Sequence, residues 1–213
     1  TKMFIVGSSG DDVNEYTLTT GFDASTASFV DSFSVSSQEA DPSGLAFNAD
    51  GTKMFVVGRT DARDVNEYTL STGFDVSTAS FVDGLSVISQ EFDPQGLAFN
   101  TDGTKMFVTG DNGDDVNEYT LTTGFDVSTA SFVDSFSVSS QETFPSGLAF
   151  NADGTKMFII GKTGDDVNEY TLTTGFDVST ASFTGEVFDI SSKESTPMGL
   201  AFSADGTKMF VMG

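Results

Sequence analysis

The pentapeptide GTKMF recurs at Gly51, Gly103, Gly154 and Gly206, at intervals of 52, 51 and 52 residues, and the chain itself opens on TKMF at Thr1. In step with it, DVNEYTL recurs at Asp12, Asp64, Asp115 and Asp166, each time followed by a stretch such as TTGFDVSTASF at residues 122–132. Self-similarity at about 50 residues limits the 213-residue chain to architectures in which one supersecondary unit packs on copies of itself.

Within a unit, four strand-like runs are separated by turn chemistry. GLAFN is short and apolar, and the NADG that overlaps its end (residues 48–51) places Asp before Gly, a tight hairpin signal because Gly accepts positive φ. KMFVV (53–57) is apolar on both alternating faces, as a strand covered on both sides must be. DVNEYTL reads as a less buried strand. SFVDSFSV (28–35) reads as half exposed, with Phe29, Phe33 and Val35 on one face. Helical periodicity is nowhere sustained. Four antiparallel strands graded from buried to exposed, here called A to D from the inside out, predict an all-β propeller. It would comprise four near-identical blades of about 52 residues (units about 1–51, 52–103, 104–154 and 155–206) and one extra B strand at 207–213, in a single domain. Solenoid coils are usually shorter, and immunoglobulin-like domains need about 100 residues each. The same pattern predicts Phe4, Phe55, Phe107, Phe158, Leu45, Leu97, Leu148 and Leu200 buried between blades.

The motif P-x-G-L-A-F-N-A-D-G-T-K-M-F-V-V-G resembles the blade core of the YVTN and lactonase-like propellers, and the likeness extends over all four units. It implies a Pro-containing loop leading to an inner strand, a D-G turn and an aromatic second strand. The Trp of a WD-type blade and the diglycine of a kelch blade are both missing. Near-identity of the units is similar to the repetitive propeller arrays of marine bacterial and phage surface proteins, which implies an extracellular, cell-surface or virion setting.

Lys and Arg total 9 against 32 Asp and Glu, a formal net charge of -23. A surface so negative repels phosphate backbones and anionic headgroups, which argues against nucleic-acid binding; no apolar run is long enough to suggest membrane insertion. Cys and His are both absent, excluding disulfides, thiol chemistry and the side chain that titrates nearest neutrality. The chain starts and stops at strand B, so it reads either as a slice of a longer array or as a subunit whose spare strand pairs with another molecule.

Comparison of the units places their differences in two loop sets, B to C (GSSGDD, GRTDARD, GDNGDD, GKTGDD) and D to A (SSQEADPSG, ISQEFDPQG, SSQETFPSG, SSKESTPMG), which lie on one rim of a propeller. Five of the seven Lys belong to the repeated TKMF, whereas Arg59, Arg63, Lys162 and Lys193 are unit-specific and fall on that rim. With Phe92, Gln95, Phe144 and Met198 they are the candidate binding residues. Asp111, Asn112, Asp114 and Asp115 form an oxygen-rich D-N-G-D-D weighed for calcium, although its spacing departs from the EF-hand pattern. A ring of Glu39, Glu91, Glu142 and Glu194 is expected ahead of strand A, facing the axis. Four near-equivalent environments without His or Cys argue against catalysis. The sequence is thus read as a non-catalytic extracellular or virion scaffold with no required cofactor. A filament subunit joined through terminal strands and a lactonase-like hydrolase are the alternatives.

Overall fold

The computed structural model describes residues 1–60 and 62–213. Among the described residues seventeen strands follow in the predicted order of four A, five B, four C and four D. The protein is an all-β, four-blade propeller in which three blades are four-stranded antiparallel sheets and the first is three-stranded, with an additional two-stranded sheet. The first blade holds β1 (Lys2–Gly7), β2 (Asp12–Leu18) and β3 (Ala27–Ser34), that is, B, C and D. Complete A to D blades follow: β4 (Pro42–Phe47) to β7 (Ala79–Ser86), β8 (Pro94–Phe99) to β11 (Ala130–Ser137), and β12 (Pro145–Phe150) to β15 (Ala181–Asp189). Between them run the B strands β5 (Lys53–Gly58), β9 (Lys105–Gly110) and β13 (Lys156–Gly161), and the C strands β6 (Asp64–Leu70), β10 (Asp115–Leu121) and β14 (Asp166–Leu172). The additional sheet pairs β16 (Gly199–Phe202) with β17 (Met209–Met212), an A with its own B. Both B strands at the ends of the chain are therefore paired, but each on one edge only.

Each D-G turn (NADG, NTDG, NADG and SADG) closes with Gly51, Gly103, Gly154 or Gly206 at φ near 70° (70, 71, 71 and 70), the left-handed conformation that glycine takes without a Cβ clash. The next connection is less ordinary. In TGFD it is Phe74, not its neighbouring Gly, that adopts φ 60°, and Phe22, Phe125 and Phe176 do the same. Such a φ costs a bulky residue about 1–2 kcal/mol. The strain is offset where the Phe74 amide donates to Gly51 O (2.9 Å) and the ring lies on the bare Cα of Gly51.

Aromatic triads tie blade to blade. Phe107 of β9 lies 4.5 Å (centroid to centroid) from Phe150 of the next blade and 6.2 Å from Phe176 in that blade's C to D loop. Phe55, Phe99 and Phe125 repeat the arrangement, as do Phe4, Phe47 and Phe74. At the seam between the two ends of the chain, Phe210 stacks on Phe22 at 6.3 Å and the Lys208 ammonium donates to Phe22 O at 2.9 Å. The additional sheet thus packs against the first blade.

Burial follows completeness. Phe55, Phe107, Leu97 and Leu148 are buried as expected, whereas Phe4, Phe158, Leu45 and Leu200 are half-buried, because they stand beside sheets that lack strands. Two other expectations are corrected. Strand C is buried, not peripheral: Val65, Asn66, Glu67 and Tyr68 are all inside. Phe29 and Phe33 do not share a face, since the register shifts between Glu15 and Tyr16 and puts Phe29 opposite Tyr16 but Phe33 opposite Val13. A bulge of this kind reverses the alternation of the side chains beyond it.

Candidate binding rim

The B to C and D to A loops meet at one end of the propeller, and a short backbone bond fixes each pair. Arg59 N donates to Asp41 O (3.1 Å), Asp111 N to Asp93 O (3.3 Å) and Lys162 N to Phe144 O (3.1 Å). These three positions are structurally equivalent, so the mouth carries Arg, Asp and Lys in succession where the rest of the repeat is nearly constant. Beneath them the buried Glu39, Glu91 and Glu142 act as clamps. Glu91 Oε1 accepts from Asp93 N (2.7 Å) and Asn112 N (3.2 Å), joining the two loops. Glu39 and Glu142 use Oε1 in the same way, while Glu39 Oε2 is left buried without a hydrogen-bond partner, and Glu194 accepts only from Thr196 in its own loop.

A cavity of about 610 Å³ opens at this mouth, and Arg59, Gln95 and Met198 line it. Arg59 pairs with Asp41 at 2.8 Å and stands 3.9 Å from Asp93. Gln95 is 2% exposed and its Oε1 has no hydrogen-bond partner, leaving an acceptor inside the channel wall. Arg63 and Phe92 form a second cluster: the guanidinium lies 3.9 Å above the Phe92 ring and its Nε donates to Phe92 O at 2.6 Å. Arg63 takes φ 48° at a turn position where Asp11, Asp114 and Asp165 take φ 49–50° in the other units, so the left-handed backbone belongs to the turn and Arg63 replaces a residue type that tolerates it better. Phe92 and Phe144 are about half exposed. Lys193, also exposed, stands apart from these groups on the last D to A loop.

Of the oxygen-rich loop, Asp114 takes φ 50°, Asp115 accepts from Asn117 at 2.6 Å, Asn112 points outward, and Asp111 turns to Asp93. Among the described residues no group of three or more acidic side chains is gathered so as to hold a metal ion. Burial, then a hydrogen bond and repulsion from Asp93, push the Asp111 carboxyl up to about 6, against the opposing pull of Lys162 and Arg59. A folded-state value above the unfolded one means that the native protein holds this proton more tightly, so the contribution to stability falls as pH rises from about 4 to about 6. Asp111→Asn should therefore melt with the wild type at pH 4 and above it at pH 7; equal melting at both would show that the carboxyl pair does not share a proton.

The repeated Lys of TKMF were not among the candidate residues, yet Lys2, Lys53, Lys105 and Lys208 each reach a Phe carbonyl of another blade. Lys53 Nζ bonds Glu67 Oε1 at 2.7 Å and Phe125 O at 2.6 Å, the latter in the next blade. Lys–Glu spacing in every unit, 13 or 14 residues, was the available signal.

No protein-family model matches the sequence, and no curated protein sequence matches it. Solved structures do match in fold. A protein of unknown function from Desulfotomaculum acetoxidans aligns over 100% of this chain and 59% of its own, at 12% identity and a TM-score of 0.60. A chain of a nidogen–laminin complex aligns over 98% of this chain and 68% of its own (14% identity, TM-score 0.61). The periplasmic gluconolactonase of Pseudomonas aeruginosa aligns over 100% of this chain and 54% of its own (14% identity, TM-score 0.54). The chain thus spans roughly half to two thirds of these propellers, and at such identities the likeness is one of fold.

Proposed function

We propose that this protein is a non-catalytic β-propeller scaffold that meets its ligand at the rim formed by the B to C and D to A loops, in an extracellular, cell-surface or virion setting. The observation that carries this reading is the asymmetry of the two rims. The NADG and TGFDVSTAS loops repeat almost without change, whereas the opposite mouth holds Arg59, Gln95 and Met198 on the channel and the Arg63–Phe92 cluster beside it. Exposed aromatic and Arg side chains set around a concavity are the usual anchors of recognition. The net charge of -23 supports a role away from nucleic acid and anionic membranes.

The test is a variant with Arg59, Arg63, Lys162 and Lys193 all replaced by Ser, screened on a glycan and surface-protein array beside the wild type. Recognition should be lost while the fold is retained, with the unfolding free energy lowered by about 2–3 kcal/mol, since Lys193 is exposed but Arg59 and Arg63 are half-buried and lose their contacts with Asp41 and Phe92. Binding that survives this change but is abolished by altering the NADG loops would place recognition on the other rim. Hydrolysis of a lactone or ester panel, lost in Asp111→Asn, would favour the lactonase-like alternative.

A further inference from the structure

The outer edges of the blades carry a feature that neither the packing of the fold nor the rim accounts for. Strands β3, β7 and β11 are the outermost strands of their sheets, and they are built on one segment, ASFVDSFS, ASFVDGLS and ASFVDSFS. At its centre a Phe and a Val stand in succession. Phe29 and Val30, Phe81 and Val82, and Phe132 and Val133 are all 43–59% exposed. An outer strand rich in aromatic and β-branched residues and nearly free of charge is a template for pairing with another chain.

The backbone directions show where that pairing would occur. Val35 N donates to Asp11 O of strand C, as Val87 N does to Arg63 O and Val138 N to Asp114 O. Antiparallel alternation then turns the amide of Ser32, and those of its equivalents Gly84 and Ser135, away from strand C and toward the open edge. Each of these outward amides is already taken. Ser32 N donates to Asp31 Oδ1, Gly84 N to Asp83 Oδ1 and Ser135 N to Asp134 Oδ1, all at 2.8 Å. A carboxylate is thus folded over the edge at the same place in three blades, and all three aspartates are exposed. Immediately before each lies the bulge, which leaves Val30, Val82 and Val133 out of register with strand C. Strand β15 has no such Asp and bulges more widely instead: residues 184–186 lie opposite Glu169 alone, with Gly185 at φ 88° and Glu186 N donating to Thr184 Oγ1 at 3.0 Å. Bulges and inward-turned charges are two ways of disabling an edge, and here each outer strand has at least one.

We propose that Asp31, Asp83 and Asp134 are edge guards, which keep the outer strands of this protein from pairing with the same strands of a second copy of the chain. The repeat defines the partner that is held off. Three edges of nearly one sequence can each meet any of the three on another molecule in antiparallel register, with Phe and Val side chains interleaved. An incoming strand needs the outward amide that the carboxylate holds, and it buries that charge beside the Phe–Val pair. The net charge of -23 also repels a second copy, but that repulsion is long-ranged and salt removes it. The guard acts at contact and persists when the charge of the molecule is screened.

The experiment compares the full 213-residue chain with a variant in which Asp31, Asp83 and Asp134 are all replaced by Val, and with one in which all three are replaced by Asn. Self-association is measured by sedimentation over a concentration series in about 0.5 M salt, where long-range repulsion is screened. The Val variant should associate at least about tenfold more tightly than the wild type, and association should slow amide exchange at Ser32, Gly84 and Ser135 by about tenfold or more. The Asn variant keeps an acceptor over each amide and should stay closer to the wild type than to the Val variant. A Val variant that associates no more tightly than the wild type overturns the proposal. So does association whose protection lies outside β3, β7 and β11, which would assign it to another surface. An Asn variant that associates as tightly as the Val variant also overturns it, because charge alone would then account for the effect. If the triple Val variant loses its circular-dichroism spectrum, Asp83→Val alone carries the same test, with protection expected on β7.

Discussion

Phe107→Ala should lower the unfolding free energy by about 3–5 kcal/mol in urea titration, whereas Phe210→Ala should cost about 1–2. Both residues are the Phe of a TKMF segment and differ only in what surrounds them. Phe107 is fully buried and faces Phe150 and Phe176, so truncation removes a ring's contacts on two sides and leaves a cavity between rigid sheets that cannot close over it. Phe210 is half-buried and stacks on Phe22 alone, so water reaches the space and the cavity term is small. Equal losses at the two sites would mean that the seam between the ends of the chain is packed as well as the interior seams.

The strands could be read from the sequence because each is a local event. Short apolar or alternating runs bounded by D-G and P-x-G signals are specified within about ten residues, and the strands of the described residues follow from them. What escaped is what depends on neighbours one unit away. Glu67 looks like an exposed position in DVNEYTL, but it is 3% exposed, because its carboxylate reaches Val127 N across sixty residues of sequence. The left-handed Phe of TGFD is equally hidden, since its positive φ is stabilised by contact with the NADG turn and not by its own preference. The rim was located by comparing units with one another, which identifies where side chains differ. Which of them meet, such as Arg63 over Phe92 or Asp111 against Asp93, depends on loop geometry that substitution patterns do not encode.

Lys105→Met should be strongly destabilising, with a cost of about 3 kcal/mol, and Lys53→Met, which breaks the same contacts one blade earlier, should match it. Glu118 is 3% exposed; one oxygen bonds Lys105 Nζ at 2.7 Å and the other accepts from Val178 N of the next blade at 2.9 Å. Lys105 Nζ itself also donates to Phe176 O at 2.6 Å. Loss of the ammonium strands a buried carboxylate and cuts one of two polar ties between blades. The repeat supplies its own control. In Lys156–Glu169 the ion-pair distance is again 2.7 Å, but the carboxylate side chain is 22% exposed and no following blade places an amide on its second oxygen. Lys156→Met should therefore cost less than about 1 kcal/mol, the range of solvent-screened pairs. Replacing both partners, as Lys105→Met with Glu118→Gln, should restore part of the stability lost, because the neutral amide keeps an acceptor for Val178 N without a buried charge. If Lys105→Met and Lys156→Met prove equally mild, the lysines are surface ornaments of the repeat, and blade-to-blade cohesion lies in the Phe triads alone.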